Sequence, residues 1–157
     1  PFNHIGPGQS PEFVTASFAK QIAMIENSKQ EPIIHVGNLD ANRDFLDVHD
    51  VCRAYIKLLE SEQNDLPHNT YNICSGRAYK IRELLEMMLS QSDASIDIRL
   101  DPARLRPSDI PFAVGCNNRI TTDIGWHPEK SIEDALGSLL NYWREQSQNA
   151  PLRNRAL

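Results

Sequence analysis

Cysteine is scarce in this chain: Cys52, Cys74 and Cys116 are odd in number and far apart. No disulfide framework or paired zinc-ligand spacing can be assembled from them, which points to a reducing, cytoplasmic setting. Each is expected as a small buried apolar residue. An excess of basic charge is lacking too. The net charge is −5 with both signs interspersed, which argues against a nucleic-acid binder. No apolar run approaches the roughly 18 residues of a membrane span, and the opening residues do not read as a basic-then-apolar leader. The five histidines, His4, His35, His49, His68 and His127, form no His-Glu-x-x-His pattern. Asp40, Asp44, Asp47 and Asp50 lack the Gly and closing Glu of a calcium loop, so helix capping and solvation explain them and no metal is expected. There is no Gly-x-Ser-x-Gly elbow, no nucleophile and base pair, and no internal repeat. Pro1-Phe2-Asn3-His4 opens the chain abruptly without an initiator Met, and we expect the protein to start upstream.

What is present suits one ordinary domain. The 157 residues are 40% apolar and 24% charged, enough for a buried core. Apolar spacing predicts a helix over Phe13 to Ile25, and Ile33 to Val36 reads as a strand closed by Gly37-Asn38. Asp47 can cap a second helix whose buried stripe would be Val48, Val51, Cys52, Tyr55, Leu58 and Leu59. Tyr71 to Cys74 reads as a buried strand before the Ser75-Gly76 turn. Ile81 to Leu89 reads as a third helix with Leu84, Leu85, Met88 and Leu89 inward. Ile96 to Leu100 alternates as an amphipathic strand. Ser131 and Asp134 make a capping box before a last helix, Ile132 to Trp143, and the polar tail from Gln146 is expected to fray. Alternating elements imply an α/β arrangement with parallel pairings. Three strands are too few to cover four helices, so Val51, Tyr55, Leu58 and the Tyr71 to Cys74 strand should lie at an uncovered apolar face.

Two kinds of segment could carry chemistry. Gly6-Pro7-Gly8-Gln9-Ser10-Pro11 nearly matches a dinucleotide fingerprint, but Pro replaces the third Gly and no apolar strand stands in front. A turn leading into a helix is the plainer reading. Arg43, between a turn and a helix, and the Arg104-Leu105-Arg106 loop after a strand could share an anionic ligand, because guanidinium forks match phosphate oxygens.

Several blocks resemble the extended short-chain dehydrogenase/reductases acting on nucleotide sugars. Phe2-Asn3-His4-Ile5-Gly6-Pro7-Gly8-Gln9 is similar to the segment after that family's sixth strand. Arg43 to Val51, Tyr71 to Gly76, and Arg106-Pro107-Ser108-Asp109 resemble its later blocks, in order and spacing, over residues 1–145. Within the family the GDP-mannose branch is most similar, and His4-Ile5-Gly6-Pro7-Gly8-Gln9-Ser10 resembles its reductases, where the dehydratases carry His-Glu-Ser-Pro-Arg-Arg-Gly.

The resemblance implies the C-terminal, substrate-binding part of an α/β enzyme whose short strands complete an upstream Rossmann sheet, with 146–157 a tail. It implies hydride transfer from the reduced form of NADP or NAD to GDP-4-dehydro-6-deoxy-D-mannose, giving GDP-D-rhamnose, in a homodimeric parent. By the same resemblance Asn3 would contact the substrate's diphosphate or adjoining sugar, His4 the nicotinamide, and Val14 the guanine. Ser17 stands where the dehydratases have Lys. Arg43 and Arg106 would clamp the diphosphate, and Asp109 would accept from the ribose. No Tyr here precedes a Lys by four residues, so no catalytic residue is assigned, and the chain should supply grip without chemistry. Two rival readings are a dehydratase or epimerase parent, which upstream sequence would reveal, and a free-standing nucleotide-sugar binding module, which GDP binding by a folded monomer would favour.

Overall fold

Helix α5 (Ile132–Asn149) buries Ile132, Ala135, Leu136, Leu139 and Leu140, a spacing of three and four that keeps one stripe inward. In the computed structural model, which describes residues 1–61, 66–105 and 110–149, that stripe packs against α1 (Val14–Glu26) and α3 (Ile81–Leu89). The bounds of α3 are those predicted from its periodicity. Its first turn is closed by the Glu83 carboxylate, which accepts from the Lys80 amide at 3.0 Å. A carboxylate at this position satisfies a donor that the helix itself leaves unpaired. Ile34, Val36, Phe45 and Tyr79 complete this larger core from the strand side.

The strands form two sheets. β1 (Asn3–Ile5) pairs in parallel with the second half of β3 (Asn42–Asp47), Asn3 opposite Phe45. The first half of β3 pairs antiparallel with β4 (Ala78–Lys80) and in parallel with β6 (Phe112–Ala113). Separately, β2 (Ile33–Val36) lies parallel to β5 (Asp97–Leu100). Six strands and five α-helices among the described residues, α4 being Asn118–Ile124, therefore replace the expected three and four. The extra strands are two to six residues long and are defined by pairing with β3. The antiparallel β3–β4 pair also departs from the expected all-parallel arrangement.

Tyr71 to Cys74 is not a strand. It runs between elements, with one backbone bond from the Phe2 amide to the Ile73 carbonyl (2.8 Å) and an Asn117 amide bond to the Cys74 carbonyl (3.0 Å). Ile73 and Cys74 are nonetheless buried, with Leu46, Val51, Ala54, Ile120 and Trp126 forming a second, smaller core around Ile73. Val51, Ile73 and Cys74 are thus covered within the chain, contrary to the expected open face, while Tyr55 is exposed and Leu58 and Tyr71 are half-buried.

Helix α2 (Val48–Glu60) is rotated relative to its predicted stripe. Asp50, Val51 and Ala54 point inward, while Cys52, Tyr55, Ile56 and Leu59 are exposed. The cause is Asp50, whose carboxylate accepts from the Glu129 and Lys130 amides, both at 3.0 Å, and from Arg53 at 2.6 Å. The Trp126 indole donates to the Asp50 carbonyl at 3.1 Å. A carboxylate with three donors holds the face it belongs to against the neighbouring loop. Solvation therefore does not explain Asp50.

Three further readings are corrected. Of the cysteines only Cys74 is buried; Cys52 and Cys116 are exposed. On β5, Ile98 and Leu100 are exposed despite their alternation, as are Asp97 and Arg99, so the strand buries neither face. Finally, α5 continues past Gln146 to Asn149. The Ser147 hydroxyl there is buried and accepts from the Asn27 side chain at 2.7 Å.

Candidate functional site

Strand β1 turns Ile5 into the core and leaves Asn3 and His4 exposed. The Asn3 side-chain amide donates to the Asp44 carbonyl at 2.9 Å, which fixes it across the β1–β3 pair. His4 Nδ1 lies 3.2 Å from the Phe2 carbonyl. After β1 the chain reverses over Gly6 to Gln9, with Gly8 at φ +85°, a conformation that favours glycine. Gln9 ties the turn down by donating to the His4 carbonyl at 3.0 Å. The short strand before this Gly-Pro-Gly turn is not an apolar one, since only Ile5 of Asn3-His4-Ile5 is buried. Gly6 is explained by packing, since a Cβ there would meet the Val48 side chain at 2.3 Å. The turn leads into α1, which supplies Val14 and, one turn later, Ser17.

Arg43 lies within β3, not in a loop before a helix, and its Nη1 donates to the Asn42 carbonyl at 2.9 Å. The ends of β2 and β5 bring up a 3₁₀ turn, Pro102–Arg104. The Asp101 amide donates to the Val36 carbonyl at 2.8 Å, and the Asp101 carboxylate caps the turn by accepting from the Ala103 amide at 3.0 Å. Gly37 lets the turn close on β2, because a Cβ there would stand 2.6 Å from the Arg104 carbonyl oxygen. Arg104 then reaches across to α1, where its Nη1 donates to Ser17 Oγ at 3.1 Å.

These segments enclose a cavity of about 1030 Å³. Asn3, His4, Val14, Ser17 and Arg43 all line it, and so does Arg104. Arg106 and Asp109 lie outside the described residues. Among the described lining residues, two arginines face one acidic residue, Glu12, so the cavity is biased toward cationic donors in a chain of net negative charge. That bias suits an anionic ligand.

Beneath the cavity stands a residue that solvation and capping do not explain. Asp44 is fully buried, and its carboxylate accepts from the Ser75 amide (2.8 Å), the Ser75 hydroxyl (2.7 Å), the Gly76 amide (3.0 Å) and the Gly115 amide (3.1 Å). It fastens β3, and with it Arg43 and the Asn3 partner carbonyl, to two distant loops. Burial, with the Asp44 charge adding to it, pushes the nearby Cys74 thiol up to about 11. The pattern signal for Asp44 was its place in a strand beside Phe45 and Leu46, where a solvated carboxylate would be out of keeping. Arg104 belongs to the arginine loop that the sequence singles out, but its contact with Ser17 has no local signal, because the two stand 87 residues apart.

The fit of a nicotinamide cofactor to these residues is partial. His4 offers an exposed ring at the cavity wall, suited to one end of such a group. Gly6 is taken up by packing against the Val48 side chain. Among the described residues there is no cluster suited to a metal ion, and no helix is long and apolar enough to cross a membrane.

Residues 1–139 match the family described as GDP-mannose 4,6 dehydratase. The GDP-6-deoxy-D-mannose reductase of Pseudomonas aeruginosa is 41% identical over 146 residues, which cover 93% of this chain and 47% of that protein. The GDP-6-deoxy-D-talose 4-dehydrogenase of Aggregatibacter actinomycetemcomitans is 30% identical over 129 residues, covering 80% of this chain and 40% of that protein. Among solved structures, RMD from Pseudomonas aeruginosa complexed with NADPH superposes with a TM-score of 0.80 at 38% identity, over 92% of this chain and 46% of that one. The chain spans about half the length of the curated relatives it matches.

Proposed function

This chain belongs to the GDP-mannose 4,6 dehydratase family, and from that premise we propose that residues 1–145 are the substrate-gripping portion of a longer nucleotide-sugar reductase. The parent would reduce GDP-4-dehydro-6-deoxy-D-mannose to GDP-D-rhamnose with NADPH or NADH. We also propose that it works in the cytoplasm as a homodimer. The observation that carries the reading is the convergence of Asn3, His4, Val14, Ser17 and Arg43, from three separate segments, on one cavity. Similarity to a GDP-6-deoxy-D-mannose reductase over nearly the whole chain supports reduction over dehydration.

In this reading Arg43, from β3, and Arg106 hold the diphosphate, and Asp109 accepts from the ribose hydroxyls. Asn3, fixed by Asp44, orients the phosphate or the adjoining sugar, and Val14 meets the guanine. His4 borders the nicotinamide. A nicotinamide cofactor, when bound, supplies the hydride. The residues of this chain bind and orient, and no group among them is assigned to move the proton.

The test is titration of GDP into the product of the full reading frame. A charge-assisted hydrogen bond contributes on the order of 1.5–3 kcal/mol, so Arg106→Ala should weaken binding by roughly one to two decades. Arg106→Lys should recover only part, because the planar fork is lost. Asp109→Asn should cost less, as an amide oxygen still accepts. Unchanged affinity in Arg106→Ala, with the fold intact, would sink the clamp. Consumption of NADPH with GDP-4-dehydro-6-deoxymannose by the full product, and none by residues 1–157 alone, is the expected activity result.

A further inference from the structure

Strand β5 belongs to a two-stranded sheet, and its backbone bonds run to one side only. The Asp97 amide donates to the Pro32 carbonyl at 2.9 Å, and the Asp101 amide just beyond the strand donates to the Val36 carbonyl at 2.8 Å. Those acceptors lie on β2 and the residue before it. The alternation of a parallel ladder therefore turns the backbone groups of Asp97, Arg99 and Asp101 toward β2 and those of Ile98 and Leu100 away from it. Among the described strands β5 pairs with β2 alone. The outward amides and carbonyls make an open edge of the kind that accepts a further strand. Ile98 and Leu100 are 41% and 58% exposed, and with Leu105 they line a cavity of about 470 Å³ beside that edge.

The order of side chains along the edge selects its occupant. Edge charges of one sign would keep copies of the chain apart, but Asp97 and Arg99 are of opposite sign and flank Ile98 symmetrically. Two copies of β5 laid antiparallel about Ile98 set Asp97 of each opposite the partner's Arg99. Ile98 then meets the partner's Ile98, and Leu100 meets the partner's Ile96. The apolar pairs are those whose backbone groups face outward, so they exchange amide and carbonyl bonds. The charged pairs fall at the positions between them, where side chains approach more closely. A two-fold register about Leu100 also opposes unlike charges, Arg99 and Asp101. It sets Pro102 opposite Ile98, however, where no amide is available to donate. We propose that β5 is a docking edge for a second copy of this chain, paired antiparallel about Ile98. This rests on the homodimer proposed above and on no part of the nucleotide-sugar assignment.

The experiment measures the mass of the product of the full reading frame by light scattering behind gel filtration, at several loadings. The unmodified protein should run as two chains or a multiple of two. Arg99→Asp opposes like charges on both sides of the two-fold axis and should halve that mass. Asp97→Arg does the same with the other sign, and it serves if the first variant does not fold. Combining the two substitutions in one chain restores unlike pairs in exchanged order, and the mass should return. Local damage to β5 would not be repaired by adding a second substitution. An unmodified protein of one chain would overturn the homodimer and the docking edge together. Unaltered mass in both folded single variants would overturn the edge alone, leaving the copies to meet elsewhere. Halving that the double variant does not reverse would overturn the charge pairing and the register with it.

Discussion

The Gly115 amide donates to the Asp44 carboxylate at 3.1 Å across 71 residues of sequence. Three other donors from Ser75 and Gly76 converge on the same group, so the carboxylate's oxygens are fully occupied in a buried setting. Asp44→Asn would turn an NH₂ toward backbone amides that can only donate. We expect a loss of about 2–4 kcal/mol in urea denaturation, because at least one amide is left facing a donor. Asp44→Asn at full stability would show that the network is dispensable.

Helices α1 and α5 are fastened by Glu26 and Arg144. Nε and Nη2 of the guanidinium donate to the two carboxylate oxygens at 2.8 and 2.7 Å, and the Ser92 hydroxyl adds a third bond at 2.7 Å. The Arg144 hydrogen bond holds the Glu26 carboxyl below its ordinary 4.5, against the opposing effect of burial. A depressed acid pKa contributes stability that is complete above the unfolded value and is lost as pH falls through the folded one. Glu26→Gln should therefore cost about 1 kcal/mol at pH 7 and little at pH 2–3. Equal losses at both pH values would contradict the pairing.

Cys74 carries the opposite sign. Its thiol is pushed up from 9.0 to about 11, first by burial and then by the Asp44 charge. The folded state holds the proton that the unfolded chain releases, so this contribution is present below pH 9 and declines as pH rises toward 11. Alkylation at pH 8 followed by peptide mapping should label the exposed Cys116 and spare Cys74 until denaturant is added. Labelling of Cys74 at the same rate as Cys116 would count against its burial.

Gly37 and the 3₁₀ turn offer a steric test. An added Cβ would stand 2.6 Å from a backbone oxygen, which cannot rotate away as a side chain could. Gly37→Ala should lower stability by about 1–3 kcal/mol through overpacking. It should also displace Arg104, which a weaker GDP titration would register. A variant with unaltered melting temperature and affinity would mean that the turn yields without cost.

Local periodicity carried much of the fold. The bounds of α3 and β2, the Asp47 cap of α2 and the Ser131 cap of α5 follow from short-range patterns, and the structure agrees. What was not legible depends on contacts distant in sequence. β4 and β6 have too few residues for a pattern, and α2 takes its rotation from a loop nearly eighty residues on. The site divides likewise. Asn3, His4, Val14 and Ser17 come with the family resemblance, Arg43 and Arg104 are already marked by the two arginine segments, and only the reach of Arg104 to Ser17 has no counterpart in the sequence.

Strand β3 has one more consequence, for how this protein can change over generations. Phe45 belongs to the larger core and its neighbour Leu46 to the smaller, on opposite faces of the strand. A substitution at either position disturbs one compartment. An inserted or deleted residue would exchange the two faces at once and carry Arg43 and Asp44 with them. The spelling of β3 is open to drift, but its spacing is not, and length variation among descendants should collect in the loops on either side.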